Sequence, residues 1–217
     1  MARKKPWERK NSSLDPKNVG AKGEGLRYLI FCEDTYGGTT YFREMKRERR
    51  SPNIHIELGG KHGEPYKLVQ AARKRRSEAS RRRGDQGAEY DEVWCVIDIE
   101  APRPHDSLEE AVLLARKSGI EIAYANPCFE FWLLLHQKDH TTGSLSTADA
   151  IRKMQGLKCC YTASKDFDPR HFLGRPQQDA IRRAERLGKR YGDGVRLRDR
   201  NPGTDIHVLV RRLLAQT

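Results

Sequence analysis

Between residues 26 and 136 the chain alternates short apolar runs with longer segments of helical spacing, and this alternation constrains the fold more than any other feature. The apolar runs cover residues 26–32, 54–58, 93–98 and 120–125, and the segments after them cover residues 40–49, 66–83, 107–118 and 127–136. Strands separated by helices of about ten or more residues indicate βαβ crossovers. The sequence therefore predicts an α/β fold with a mostly parallel sheet flanked by helices.

The two ends of the chain differ from this middle region. Residues 1–24 are rich in Lys, Asn and Gly with almost no apolar periodicity, which predicts a flexible basic N-terminal arm. Beyond residue 140 the strand signals disappear and three helices are predicted, at residues 147–155, 177–191 and 205–215, the last with Thr204 as its N-cap. We therefore expect a core over residues 25–140 and a helical C-terminal section over residues 141–217 that packs on it.

Acidic residues stand where two of the predicted strands end. Asp98 and Glu100 follow the apolar run at residues 93–97, and Glu33 follows the run at residues 29–32. Residues i and i+2 of a strand share a face, and ligands bind in the crevice at the carboxyl ends of parallel strands. Carboxylate oxygens are ligands that Mg²⁺ prefers. These three acids are therefore predicted to bind Mg²⁺ or Mn²⁺, and the alternative is that they are ordinary acids at solvated strand ends.

Two helix starts are predicted at the same edge of the sheet. The turn at residues 34–40 contains Gly37 and Gly38 and leads into a helix, a place where backbone N–H groups donate to phosphate. Asn126 is predicted to cap a later helix with Pro127 at its first position, which puts Glu130 near the first turn. The spacing favours a role for Glu130 in opposing the helix dipole, and a contact with the metal is the alternative.

The balance of charges indicates a polyanionic partner. The chain has 42 Lys and Arg residues against 30 Asp and Glu residues, a formal net charge of +12, and nucleic acid is the commonest partner of such a protein. A dense basic segment with only Glu78 opposing it is predicted to bind the phosphate backbone through Arg73, Lys74, Arg75, Arg76, Arg81, Arg82 and Arg83. A second group, from Arg182 to Arg190, is diluted by acids, and its role is left open.

The sequence also argues against several other classes of protein. No stretch approaches the roughly 18 uninterrupted apolar residues that a membrane-spanning helix needs, and no apolar segment follows the basic N-terminus as in a secretory signal. The five cysteines are odd in number and show no CxxC spacing, which disfavours disulfides and structural zinc. We therefore expect a reduced, cytoplasmic protein that does not associate with membranes.

With these residues in place, the chain resembles the RloB family, small bacterial proteins named from restriction-modification loci. The segments that carry the resemblance span most of the chain from about residue 26 onward. They are Phe31-Cys32-Glu33, Gly38-Thr39-Thr40-Tyr41-Phe42, the run at residues 93–100, Asn126-Pro127-Cys128-Phe129-Glu130-Phe131-Trp132-Leu133-Leu134-Leu135-His136 and Asn201-Pro202-Gly203-Thr204. The segment at residues 126–136 is the most specific of them.

The resemblance implies a Toprim-like fold, whose sheet edge carries a Glu after the first strand and a later pair of Asp residues. On this basis Glu33 corresponds to the Toprim glutamate, and Asp98 with Glu100 corresponds to the metal pair. The second acid of that pair is Glu100 rather than Asp, so whether it ligates directly or through water stays open. The resemblance also places Glu130 in the site, against the preference of the spacing.

Together these observations predict a Mg²⁺-dependent nuclease. Asp98 and Glu100 would hold the ion, and Glu33 would be either a further ligand or the group that deprotonates the attacking water. The role in defence against phage or foreign DNA is implied by the resemblance alone. The alternative is a non-catalytic nucleic-acid-binding or assembly subunit of a defence system with a partner protein. Nucleotidyl transfer is a third reading, although no nucleotide-phosphate loop is recognisable.

Overall fold

The computed structural model describes residues 26–34, 36–58, 64–81, 89–140, 143–157, 161–162 and 166–215. Within these residues the chain folds into a sheet of five strands packed between helices. The strands are β1 (Tyr28–Cys32), β2 (Ile54–Leu58), β3 (Glu92–Asp98), β4 (Glu121–Asn126) and β5 (Gly203–Thr204). The predicted N-terminal arm, residues 1–24, lies outside the described residues.

The sheet has the order β2-β1-β3-β4-β5. The first four strands are parallel, and β5 pairs antiparallel with the end of β4. Strands β1 and β3 are central, with Cys32 opposite Val96, and Asp98 of β3 lies opposite Ala125 of β4. The predicted α/β class with a mostly parallel sheet is therefore confirmed.

Seven helices flank this sheet in the described part of the chain. They are α1 (Gly38–Arg49), α2 (Pro65–Arg81), α3 (Leu108–Ser118), α4 (Phe129–Gln137), α5 (Thr147–Gly156), α6 (Arg175–Gly188) and α7 (Ile206–Leu214). Helices α5 to α7 form the predicted helical C-terminal part. None of the helices in the described ranges is both long enough and apolar enough to cross a membrane.

The two faces of the sheet bury two separate apolar cores. Ile30 and Val96 point to one face, where α1 and α4–α7 pack, while Leu29 and Cys95 point to the other face, which α2 and α3 cover. Because both faces of β1 and β3 are buried, these strands are almost continuously apolar rather than alternating with polar residues. Helix α4 lies within the first core and is buried at every residue from Phe129 to His136.

The prediction that no strand follows residue 140 is wrong at one point, since Gly203 and Thr204 form β5. A strand of two residues is too short to show an alternating pattern, so the sequence carried no periodic signal for it. The glycine is required here, because a Cβ at Gly203 would lie 2.7 Å from the carbonyl oxygen of Arg200. The predicted capping by Thr204 is present in part: the N-cap position is Asp205, but Oγ1 of Thr204, two residues before α7 begins, accepts from the N–H of Ile206 at 3.2 Å.

Candidate active site

Two of the predicted acids meet where β1 and β3 end. Glu33 directly follows β1, and Asp98 is the last residue of the neighbouring strand β3. The backbone N–H of Asp98 donates to Oε2 of Glu33 at 3.1 Å, which fixes the position of that carboxylate. Both side chains are partly buried. We call this end of the sheet the carboxyl edge, and the rule that parallel strands bring their carboxyl ends together explains the meeting.

A third carboxylate, that of Asp34, joins them from the turn before α1. It accepts from the N–H groups of Gly37 and Gly38, at 2.8 and 3.1 Å, and so caps the helix. The close approach needs glycine, since a Cβ at Gly37 would lie 2.5 Å from Oδ2 of Asp34. The N–H groups of Gly37 and Gly38 thus donate to a carboxylate of the chain, whereas the sequence predicted that this turn donates to phosphate.

Glu130 lies in the first turn of α4 with only 9% of its surface exposed. The hydroxyl of Tyr161 donates to its Oε1 at 2.7 Å, and its charge acts on Asp98. Glu130 thus lies where a negative charge interacts favourably with the helix dipole, and it also lies beside the site. The predicted capping of this helix by Asn126 is wrong, because α4 begins only at Phe129 and the Asn126 amide donates to the carbonyls of Leu197 and Arg198.

Tyr161 is the site residue that the sequence did not reveal. It is buried and pairs with Phe167 through an isolated antiparallel bridge, with their rings stacked at 6.4 Å between centroids. Its hydrogen bond reaches Glu130 across 31 positions of sequence, from a segment with no helical or strand periodicity. No local pattern could have paired these two residues.

We refer to Glu33, Asp34, Asp98 and Glu130 as the acidic cluster. Burial raises the pKa of Glu33 to about 8, and the charges of Glu100 and Asp34 add to this, against the hydrogen bond from Asp98. Burial also holds the pKa of Asp98 well above its usual range, with added repulsion from Glu33, Asp34 and Glu130. Negative charges that lie close together and partly out of water repel one another, and either protonation of a carboxylate or binding of a cation relieves this repulsion.

Glu100 lies at the rim of the cluster rather than within it. Strand β3 ends at Asp98, and Glu100 has a left-handed backbone with φ of 60°, its N–H donating to the carbonyl of Pro127 at 2.7 Å. Its side chain is 50% exposed, with Oε2 lying 3.7 Å from Nε2 of His105. The expectation that Asp98 and Glu100 share a strand face is therefore wrong, because the chain leaves the strand between them.

The oxygen donors of this site suit a hard divalent cation. Among the residues that the structure describes, no group of three His, Cys, Asp or Glu side chains is arranged to hold a metal ion. Magnesium sites, however, commonly use only one or two carboxylates, with waters and substrate phosphates completing the shell. Glu33 and Asp98 meet that smaller requirement, since the backbone of Asp98 holds the Glu33 carboxylate and the charge of Glu33 acts on the carboxyl group of Asp98.

The basic segment of α2 lies at the opposite end of the sheet from the acids, which we call the amino edge. The guanidinium of Arg75 lies 5.9 Å from the ring of Tyr90, just before β3, and Arg76 donates at 3.0 Å to the carbonyls of Ser118 and Gly119, just before β4. Arg73, Lys74 and Arg81 are exposed. Arg82 and Arg83 lie outside the described residues. The structure thus separates the predicted nucleic-acid-binding residues from the predicted catalytic ones.

The second basic group, on and after α6, has mostly local partners. Arg182 pairs with Asp179 and Arg186 pairs with Asp139. Arg183 donates to the carbonyl of Leu135 at 2.6 Å, near the end of α4. The contacts of Arg183 and Arg186 hold α6 against α4 and the residues that follow it, and they indicate a structural role for the group.

A comparison with protein families matches the model described as RloB-like protein over residues 28–213. The chain belongs to the RloB-like protein family. This confirms the resemblance drawn from the sequence, and the matched region contains the whole sheet together with Glu33, Asp98, Glu100 and Glu130. No curated protein and no solved structure matches the chain significantly.

Proposed function

We propose that this RloB-like protein is a nuclease that depends on Mg²⁺ or Mn²⁺ and hydrolyses phosphodiester bonds in DNA or RNA. The observation that carries the proposal is the meeting of Glu33 and Asp98, where the backbone N–H of Asp98 donates to Oε2 of Glu33 at 3.1 Å and the pKa of both carboxyl groups is raised inside the acidic cluster. Buried carboxylates that repel one another are costly to maintain, and such perturbed groups concentrate at functional sites. The net charge of +12 supports a polyanionic substrate.

Glu33 and Asp98 would hold the ion, with Glu100 at the rim as a further ligand, direct or through water. A bound divalent ion supplies charge stabilisation for the scissile phosphate and its leaving oxygen. Burial raises the pKa of Glu33 to about 8, so a cation that bound at neutral pH would displace the proton of this carboxyl group.

The chain's own residues then orient the reaction. The N–H of Asp98 fixes one oxygen of Glu33, which supports a role for this carboxylate either as a ligand of the ion or as the group that orients and deprotonates the attacking water. Tyr161 holds Glu130 through its hydroxyl and thereby keeps a buried carboxylate beside Asp98. Asp34 orders the start of α1 and adds negative charge to the site.

We place this activity in bacterial defence against phage or foreign DNA, a role supported by membership of the RloB-like family. A second candidate is a non-catalytic nucleic-acid-binding or assembly subunit that works with a defence-system partner protein. That reading is favoured by the position of Glu100 outside β3 and by the lack of a three-ligand group in the described ranges. The two candidates differ in whether the acidic cluster cleaves.

The test is incubation of the full chain with plasmid DNA and with total bacterial RNA, each with Mg²⁺, with Mn²⁺ and with EDTA. We expect cleavage of at least one substrate only with a divalent ion, and its loss in Asp98→Asn. Asp179→Asn is the matched control, because Asp179 pairs with Arg182 on α6, outside the acidic cluster. Absence of cleavage under every condition, with nucleic acid still bound, would support the non-catalytic subunit.

A further inference from the structure

We infer that exposed basic residues from the middle of α2 to the amino edge form a docking surface, outside the acidic cluster, for the backbone of a double-helical nucleic acid. The surface consists of Arg73, Lys74 and Arg81 of α2 with Arg116 and Lys117 of α3, and we call it the α2–α3 basic face. The inference rests on the proposed function. It adds that an efficiently bound substrate must reach from one edge of the sheet to the other.

Helix α2 connects the two edges. It follows β2, whose end is in register with Cys32 at the carboxyl edge, and it runs back along the sheet. At the start of α2, a hydrogen bond from Lys67 lowers the pKa of Glu64. The charge of His105 lowers it further, and His105 also lies beside Glu100 at the carboxyl edge. At its other end, Arg76 reaches the carbonyls of Ser118 and Gly119, at the amino edge.

The arginines of α2 fall into two kinds. Arg75 and Arg76 turn toward Tyr90 and the end of α3, where they hold the helix in place. Arg73, Lys74 and Arg81 are exposed to solvent. Arg116 and Lys117 add two exposed positive charges in the last turn of α3, beside the carbonyls that Arg76 contacts. A phosphate backbone is the ligand that such a surface suits.

The length of α2 sets the reach of the substrate. Its 17 residues span about 25 Å at about 1.5 Å per residue, and Arg73 lies about halfway along. With a rise of about 3.4 Å per base pair, the basic face would contact phosphates about 4–7 base pairs from the bond at the carboxyl edge. A duplex of about eight base pairs on one side of that bond is then the shortest that engages the whole face.

The scarcity of exposed aromatic side chains in the part of the chain that the structure describes favours a duplex over a single strand. Proteins that hold single strands stack bases on exposed aromatic side chains. Among the described residues the only exposed Phe, Trp or Tyr is Tyr36, which is 57% exposed and lies in the turn after β1, at the carboxyl edge. The α2–α3 basic face itself offers charge without aromatic rings, which fits recognition through the backbone.

The experiment measures binding against length, using Asp98→Asn protein in EDTA so that nothing is cleaved. Labelled duplexes of about 4, 8, 12 and 20 base pairs are titrated at several salt concentrations. At a rise of about 3.4 Å per base pair, these lengths are shorter than, similar to and longer than the distance that α2 spans. The basic-face variant carries Arg73→Gln, Lys74→Gln and Arg81→Gln. The control carries Arg182→Gln, Arg186→Gln and Lys189→Gln, which removes the same charge from α6.

We expect the basic-face variant to weaken binding of the two longest duplexes at least about tenfold and to lower the log–log salt slope by about 2.7, or about 0.9 for each of three contacts. The shortest duplex should show a smaller loss, because it covers fewer of these charges at once, and the control should resemble the parent at every length. An equal loss at all lengths, or an equal loss in the control, would overturn the inference.

Two further arms separate the remaining outcomes. Single strands of matching length should bind more weakly and respond less to the basic-face substitutions, and an equal response would overturn the assignment to duplexes. In cleaving protein, the same substitutions should lower kcat/KM for long duplexes more than for short ones. A protein that cleaves nothing but shows the length-dependent binding would refute the nuclease and retain the docking surface.

Discussion

The two ends of the same sheet carry opposite charge in very different surroundings. At the carboxyl edge, Glu33 and Asp98 are partly buried beside other acids, and the pKa of both is raised. Toward the amino edge, Arg73 and Lys74 of α2 are exposed to solvent on a helix surface. Exposed charges cost little to keep, whereas gathered and desolvated ones oppose folding. The buried acids at the carboxyl edge are therefore the stronger evidence for a functional site. The exposed basic residues need a binding experiment to show that they have a function.

The sharpest test of this comparison is the removal of one charge from the acidic cluster. Asp98→Asn should lower divalent-dependent cleavage at least about 100-fold, or about 2.7 kcal/mol of barrier, because the mutant loses a ligand that faces the phosphate. Binding of nucleic acid should persist and even tighten, since one repelling charge is gone. The measurements are single-turnover cleavage and anisotropy. If Asp98→Asn and Glu33→Gln both cut at the parental rate, the assignment of the site is wrong.

Glu130 tests how far the acidic cluster extends. Glu130→Gln keeps the shape of the side chain and should lower cleavage at least about tenfold, or about 1.4 kcal/mol, with only a slight loss of thermal stability. Tyr161→Phe keeps the ring, removes the hydroxyl that donates to Glu130, and should lower cleavage in the same direction. Near-parental cleavage in both variants, with a stability loss of about 0.3–1 kcal/mol, would leave Glu130 as a helix-dipole residue.

The dependence of the protein's stability on pH tests whether the ionised acids of the cluster destabilise the folded state. Burial raises the pKa of Glu33 from 4.5 to about 8, so in this interval the unfolded state binds fewer protons than the folded state. Stability of the metal-free protein therefore falls as pH rises through this interval. Glu33→Gln should raise the Tm in EDTA at about pH 8 by about 2–4 °C, for roughly 1 kcal/mol, with less effect near pH 5.

Two controls accompany this prediction. Glu110→Gln changes an exposed carboxylate on α3 and should leave the pH dependence of the Tm as in the parent. Addition of Mg²⁺ to the parent at about pH 8 should recover part of the lost stability, because an ion that binds only the folded state stabilises it. An unchanged Tm in Glu33→Gln across this range would show that the acidic cluster carries no such cost.

The smallest effects distinguish two neighbouring arginines at the amino edge. Arg76→Gln should lower the free energy of unfolding by about 1 kcal/mol, because it loses hydrogen bonds to the carbonyls of Ser118 and Gly119. Arg73→Gln should leave stability within about 0.5 kcal/mol and lower the salt slope of binding by about 0.9. Urea unfolding measures the effect on stability, and salt titrations measure the effect on binding. The reversed pattern would show that Arg73 stabilises the fold and that Arg76 binds phosphate.

The sequence predicted the meeting of Glu33 and Asp98 because two rules suffice for it: apolar runs form parallel strands, and acids that follow them share an edge. It failed at Glu100 because the exit of the chain from β3 depends on a backbone contact with Pro127, which no periodicity records. It missed Tyr161 because that contact joins distant segments. It grouped Arg76 with Arg73 because composition does not tell which side of a helix packs.

The pairing of β5 with β4 joins residues that are far apart in the sequence, so this pairing can form only after the later residues have been synthesised. Thr204 Oγ1 donates to the carbonyl of Tyr124, and Asp205 accepts from the N–H of the same residue, each at 2.7 Å. Strand β4 leads within three residues into α4, which carries Glu130. A nascent chain on the ribosome therefore lacks this partner of β4 until residues 203–205 emerge, which is after all the residues of the acidic cluster and Tyr161 have been made.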